Sequence, residues 1–213
     1  MKKDKYFDYI TVDLLTLEKL VNTNCVFKKH IKTNNKFYVR IMPDLYACLI
    51  HSIISFNATS QVIDNIWYQL LDVTNQKIIA KNFAYISKDI LASVGLNSNQ
   101  IDLIRKISYD VDNKILDLKN LSKQSDEKII NTLSQYKHLD LLTIKTWLIF
   151  GCNHSNVFVI EDKDIIKTLQ YCFDKQLNDN ELYNIYQTYS PSCSLLSIVL
   201  WKINNDLNQL KDK

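Results

Sequence analysis

The chain has 213 residues, 46% of them hydrophobic and 23% charged, with a net charge of +3. That is enough chain to bury a real core in one large domain or two small lobes, and so modest a charge neither demands nor excludes a polyanionic partner. No run reaches the ~20 apolar residues of a membrane span, and the start, MKKDKYFDYI, lacks the apolar core of a signal peptide, so a cytoplasmic protein without a membrane partner is expected. The five cysteines (Cys25, Cys48, Cys152, Cys172, Cys193) are widely spaced and form no CxxC. They read as reduced core thiols and not as a zinc or iron–sulfur site, which needs clustered ligands. Only two Gly and two Pro occur, so each is informative as punctuation.

In chain order the pattern is helical. LLTLEKLV (14–21) carries apolar residues at i, i+3 and i+4. DLYACLIHSIISF (44–56) follows Pro43 and is apolar almost all round, which predicts a central buried helix. TSQVIDNIWYQLLDV (59–73) starts on a Thr–Ser cap; SKDILASVG (87–95) has a Ser cap and a glycine stop at Gly95. Helices are predicted next over 97–111, 125–136 and 142–151, the last ending at Gly151. NVFVIEDKDIIKTL (156–169) joins a short apolar run to two acids, Glu161 and Asp162, and then to a helix over 162–173. Helices over 178–189 and 192–204 complete the list. Alternating strand pattern is nearly absent. The fold class is all-α, with about ten helices and short connections.

Five segments together resemble the helix-hairpin-helix DNA glycosylases, closest to the alkylation-repair branch that removes 3-methyladenine. IHSIISFNATSQVIDNIW is similar to the family's helix, polar loop and second helix, with Asn57 where relatives push a residue into the duplex. In LASVGLNSNQIDLI, Gly95 and Leu96 match a family element, and Gln100 replaces a usual basic residue. YKHLDLLTIKTWLIFG aligns with the hairpin: Thr143, Phe150 and Gly151 match, but His138 and Asp140 stand where the family has two glycines around an apolar residue, here Leu139. NVFVIED resembles the segment that ends on the catalytic acid, placing Asp162 there. YSPSCSLLSIVLWKIN resembles the last helix, with Pro191 matching and Trp201 where relatives line the base pocket.

The resemblance implies two helical lobes with a cleft between them: residues 1–42 plus 152–213 in an N/C-terminal lobe, and 43–151 as a central lobe with the hairpin at 136–151. The N-terminal stretch is expected to pack as a helix against the C-terminal lobe. The implied activity is a monofunctional glycosylase in base excision repair. It would flip an alkylated base out of double-stranded DNA, using Asp162 as catalyst, Trp201 in the base pocket and Asn57 to fill the gap. His138, Leu139, Asp140 and Thr143 would face a phosphate, where the Asp140 charge opposes contact. Tyr136, Phe56 and Trp147 are possible pocket neighbours, Trp147 being equally a core aromatic. Leu142 occupies the place of the Schiff-base Lys of strand-cleaving relatives, so no lyase activity is implied. No cofactor is implied; the family often holds a structural monovalent cation on hairpin carbonyls, and the sequence leaves that open. A monomer is expected, in the cytoplasm or at the nucleoid. Two alternatives stay open: a catalytically inactive descendant that binds nucleic acid or protein, and a generic helical interaction protein. By itself, Asp162 is an acid near a helix start and Trp201 a core aromatic.

Overall fold

The computed structural model describes residues 5–211. Its elements are β1 (Asp8–Thr11), α1 (Leu14–Val21), α2 (Cys25–His30), β2 (Tyr38–Ile41), α3 (Leu45–Ser55), α4 (Ser60–Val73), α5 (Ala80–Tyr85), α6 (Lys88–Ser93), α7 (Ser98–Asp112), α8 (Leu118–Leu121), α9 (Asp126–Leu133), α10 (Leu141–Phe150), α11 (Lys163–Phe173), α12 (Asp179–Tyr189) and α13 (Cys193–Lys211). The fold is all-α, as the helical spacing predicts. The described residues hold thirteen helices against the expected ten. The additions, α2, α5 and α8, are too short to show a helical period in sequence. No described helix is long and apolar enough to cross a membrane.

The chain divides into two compact units. One comprises Met42–Cys152 with the described residues up to Phe7; the other comprises Asp8–Ile41 with the residues from Asn153 onward. In the first unit, α3 is buried nearly all round, with Ala47, Leu49, Ile50 and Ile54 fully enclosed. Asp44 is its N-cap, accepting from the Ala47 N–H at 3.0 Å, so Pro43 stands before the cap. α10 packs on α3. Trp147 is fully buried there, and its indole N–H donates to the Leu45 carbonyl at 2.8 Å. A Cβ at Gly151 would lie 2.9 Å from the Cys48 sulfur, so glycine permits this close approach. Gly95 stops α6 in the left-handed region, at φ +99°, as its sequence position predicts. Asp110 on α7 is buried and fully engaged: Lys106 donates to both oxygens at 2.7 and 2.8 Å, and the Tyr136 hydroxyl donates at 2.8 Å. This ties α7 to the turn after α9.

In the second unit α13 is the packing axis, with α2, α11 and α12 against it. Leu196, Val199, Leu200 and Ile203 form its enclosed face. The N-terminal stretch in this unit is more than the expected helix. β1 and β2 form an antiparallel ribbon, pairing Asp8 with Ile41 and Thr11 with Tyr38, with α1 and α2 between them. Asn24 caps α2 and also donates to the Cys172 carbonyl at 2.9 Å, joining that stretch to α11.

Candidate functional site

The segment NVFVIED is neither helix nor strand: residues 156–159 have no regular structure, and Ile160 and Glu161 form a turn before Asp162. Val157, Phe158 and Val159 are buried, Ile160 and Glu161 are exposed, and Asp162 is half-buried. Asp162 is the N-cap of α11, not a residue of its first turn. Asp suits this place because its carboxylate satisfies a free N–H of the opening turn. Oδ1 accepts from the Asp164 N–H at 2.8 Å. Oδ2 accepts from the Trp201 indole N–H at 2.7 Å. Each oxygen is therefore held by one N–H donor and keeps a lone pair for another partner. The bond from the indole is charge-assisted and fixes carboxylate and ring together. Trp201 is half-buried, so its ring is not sealed in the core. Lys163 and Lys167 nearby are exposed, Lys167 standing 3.8 Å from Asp164, a surface pair worth little in stability.

The other singled-out residues lie in the first unit. Asn57 is exposed between α3 and α4 with φ +56°, a left-handed conformation that Asn tolerates well. Phe56 beside it is 40% exposed. In the turn between α9 and α10, His138 also adopts a left-handed φ, +71°. That is a conformation that favours glycine, here adopted by a residue with a side chain. Position 140 differs. Asp140 has φ −85°, needs no glycine, and caps α10. Its Oδ1 accepts from the Thr143 N–H and its Oδ2 from the Thr143 hydroxyl, both at 2.8 Å. The carboxylate is thus turned onto its own helix, where it occupies the place an external anion would take. Leu139 is buried and anchors the turn.

Phe56, Asn57, Asn99, His138, Asp140 and Thr143 share a cavity of about 510 Å³ with Ile53 and Leu103. None of its lining residues is Lys or Arg. Gln100 on the same wall is structural: it completes a capping box with Asn97 and donates to the Ile53 carbonyl at 3.1 Å.

The structure therefore joins Asp162 and Trp201 directly in one unit, and gathers Asn57, His138, Leu139, Asp140 and Thr143 in the other. One candidate pocket neighbour does not fit that role: Trp147 is sealed in the first unit's core. Tyr136 is half-buried, with its hydroxyl donated to Asp110. Two residues escaped the sequence reading: Ser194 and Ser197, two turns and one turn before Trp201 on the same helix face, both bonded to the Asp162 segment. Their spacing was the available signal.

No family model matches the sequence, and no curated protein matches it either. Solved structures do. A DNA-3-methyladenine glycosidase from Bacillus halodurans is 16% identical over 95% of this chain and 94% of its own, with a TM-score of 0.74. A 3-methyladenine DNA glycosylase of Schizosaccharomyces pombe, in complex with abasic DNA, is 19% identical over 88% of this chain and 95% of its own, with a TM-score of 0.74. An 8-oxoguanine glycosylase/lyase of Clostridium acetobutylicum, in complex with double-stranded DNA, is 13% identical over 93% of this chain and 71% of its own, with a TM-score of 0.73. At these identities the likeness establishes the fold: the chain has the helix-hairpin-helix glycosylase fold.

Proposed function

We propose that this protein is a monofunctional DNA glycosylase that removes alkylated, 3-methyladenine-type bases from double-stranded DNA. The observation that carries the proposal is the half-buried Asp162 carboxylate, held on both oxygens and bonded to the indole of Trp201. A base inside the stack is out of reach, so the nucleotide is extruded first. An N3-alkylated adenine is cationic and leaves readily, which lowers the need for a general acid. Positive charge then develops on the sugar, and a fixed carboxylate stabilises it without reorganising. The free lone pairs of Asp162 also orient water for attack at the anomeric carbon. The Trp201 face offers the cationic base a stacking and cation–π surface worth roughly 0.5–2 kcal/mol. Asn57, exposed and held in a tight turn, is suited to fill the gap left in the duplex. Leu142 has no amine, so the strand is not cut by β-elimination.

The test is direct. Duplex DNA treated with a methylating agent is incubated with the protein; released bases are separated by chromatography, and the strand is inspected before and after alkali. Release of methylated adenine, with breaks appearing only after alkali, is expected. Protein that binds duplex but releases no base from alkylated, oxidised or deaminated DNA is a non-catalytic descendant of the fold. One observation favours that second reading: Asp140 closes the helix N-terminus that a phosphate would otherwise use.

The same carboxylate makes a separate prediction. Asp140→Gly removes a unit charge worth about 1 kcal/mol against a phosphate roughly 4 Å away in water. Duplex affinity should rise about fivefold, and its dependence on salt should steepen by about 0.9 in log–log slope for one added phosphate contact. The lost cap costs only a few tenths of a kcal/mol with glycine in its place. Fluorescence anisotropy over a salt series measures both quantities. Unchanged affinity and slope would show that the hairpin does not touch the duplex.

A further inference from the structure

Val157, Phe158 and Val159, in the segment that leads to Asp162, are buried, yet they belong to no helix or strand. Buried backbone N–H and C=O groups must still find partners. Here a helix face supplies them. The Ser194 hydroxyl donates to the His154 carbonyl at 2.5 Å and accepts from the Val157 N–H at 3.0 Å. The Ser194 N–H donates to the Ser155 carbonyl at 3.0 Å. One turn on, the Ser197 hydroxyl donates to the Val157 carbonyl at 3.2 Å and accepts from the Val159 N–H at 3.3 Å. The Val159 carbonyl in turn accepts from the Asp162 N–H at 3.4 Å. The next residue on this stripe of α13 is Trp201, which takes the Asp162 carboxylate. Spacings of three and four residues place Ser194, Ser197 and Trp201 on one helix face.

We propose that Ser197, with Ser194 behind it, is a positioning residue that sets the register of the non-helical segment along α13 and so delivers Asp162 to Trp201. This rests on the reading of Asp162 as the catalyst. Serine suits the task for two reasons. Its hydroxyl is donor and acceptor at once, so one side chain satisfies both a carbonyl and an N–H. It is also short enough to keep the segment against the helix. Ser197 is fully buried and Ser194 is 6% exposed, so water cannot replace either hydroxyl without opening the packing. Ser197 lies two hydrogen bonds from Asp162: one to Val159, and one across the turn from Val159 to Asp162.

The test compares Ser197→Ala with Val199→Ala, a cavity made at an equally buried position of α13 off the stripe. Three quantities are read below the melting temperature of both variants: the single-turnover rate of base release, duplex affinity, and the indole N–H signals in a nitrogen–proton correlation spectrum. The chain has three Trp, and the Trp201 signal is assigned by its loss in Trp201→Phe. Ser197→Ala is expected to slow release at least tenfold with affinity within about twofold, and to move the Trp201 signal. Val199→Ala should do neither, and Ser197→Thr, which keeps the hydroxyl, should restore part of the rate. A Trp201 signal unmoved in Ser197→Ala overturns the proposal whatever the activity. So does equal slowing by Val199→Ala, or a Ser197→Ala rate within twofold of wild type. A wild type that releases no base, while the signal still moves in Ser197→Ala, sinks the catalytic reading and upholds the positioning.

Discussion

Asp162→Asn is expected to slow release of methylated adenine at saturating DNA by about a hundredfold to a thousandfold, the range seen when one electrostatic stabiliser is removed from an active site. Duplex affinity should stay within about threefold, because the side chain is spent on Asp164 and Trp201 and faces no phosphate in this reading. The substitution is nearly isosteric but acts twice. It removes the negative charge that stabilises the developing sugar cation. It also replaces two acceptors by one acceptor and one donor, so the Asp164 and Trp201 N–H groups cannot both be satisfied. The unsatisfied group costs about 1–3 kcal/mol where it is buried, so melting temperature must be measured alongside the rate. Glu161→Gln is the matched control. Glu161 is exposed and its neighbour is not, so its release rate should stay within about twofold of wild type. Release that survives Asp162→Asn, in protein shown to be folded, removes Asp162 from the chemistry.

The helical framework was legible because several helices carry their own caps and period, although Thr59 at the start of α4 makes no side-chain cap bond. Asn97 with Gln100 and Asn178 with Glu181 form capping boxes, and Ser87 and Ser125 cap by side chain, all close to the predicted starts. The ribbon of β1 and β2 was not legible. Four residues on each strand are too few for an alternation to stand out, and the strands pair across about thirty residues of intervening chain. At the candidate site, sequence singles out Asp162 and Trp201 but not the bond between them. The direction of an indole N–H depends on how α13 is registered against a non-helical segment, and that register runs through two unremarkable serines. At the hairpin the reverse holds. Asp140 reads as a charge facing DNA, yet an Asp three residues before a Thr at a helix start also fits a cap, and the cap is what the fold forms. Local hydrogen bonding over one turn decides where that carboxylate points, and a resemblance read from spacing does not report it.

Trp201→Phe separates the two jobs assigned to the indole. Phenylalanine keeps an aromatic face for a cationic base but loses the N–H that holds Asp162 Oδ2. A hydrogen bond to a charged group contributes about 1.5–3 kcal/mol, so release should slow about tenfold to a hundredfold if that bond orients the carboxylate in the reacting geometry. Base stacking, being largely retained, should leave duplex affinity and the saturating DNA concentration nearly unchanged. The decisive measurement is a double-mutant cycle. If Trp201 acts through Asp162, Trp201→Phe should cost less than about threefold once Asp162 is already Asn, since no carboxylate remains to be held. If Trp201 acts only as a stacking platform, its loss should be the same on both backgrounds. Additive losses would assign Trp201 to the base and leave the carboxylate to be placed by the N-cap bond to Asp164 alone.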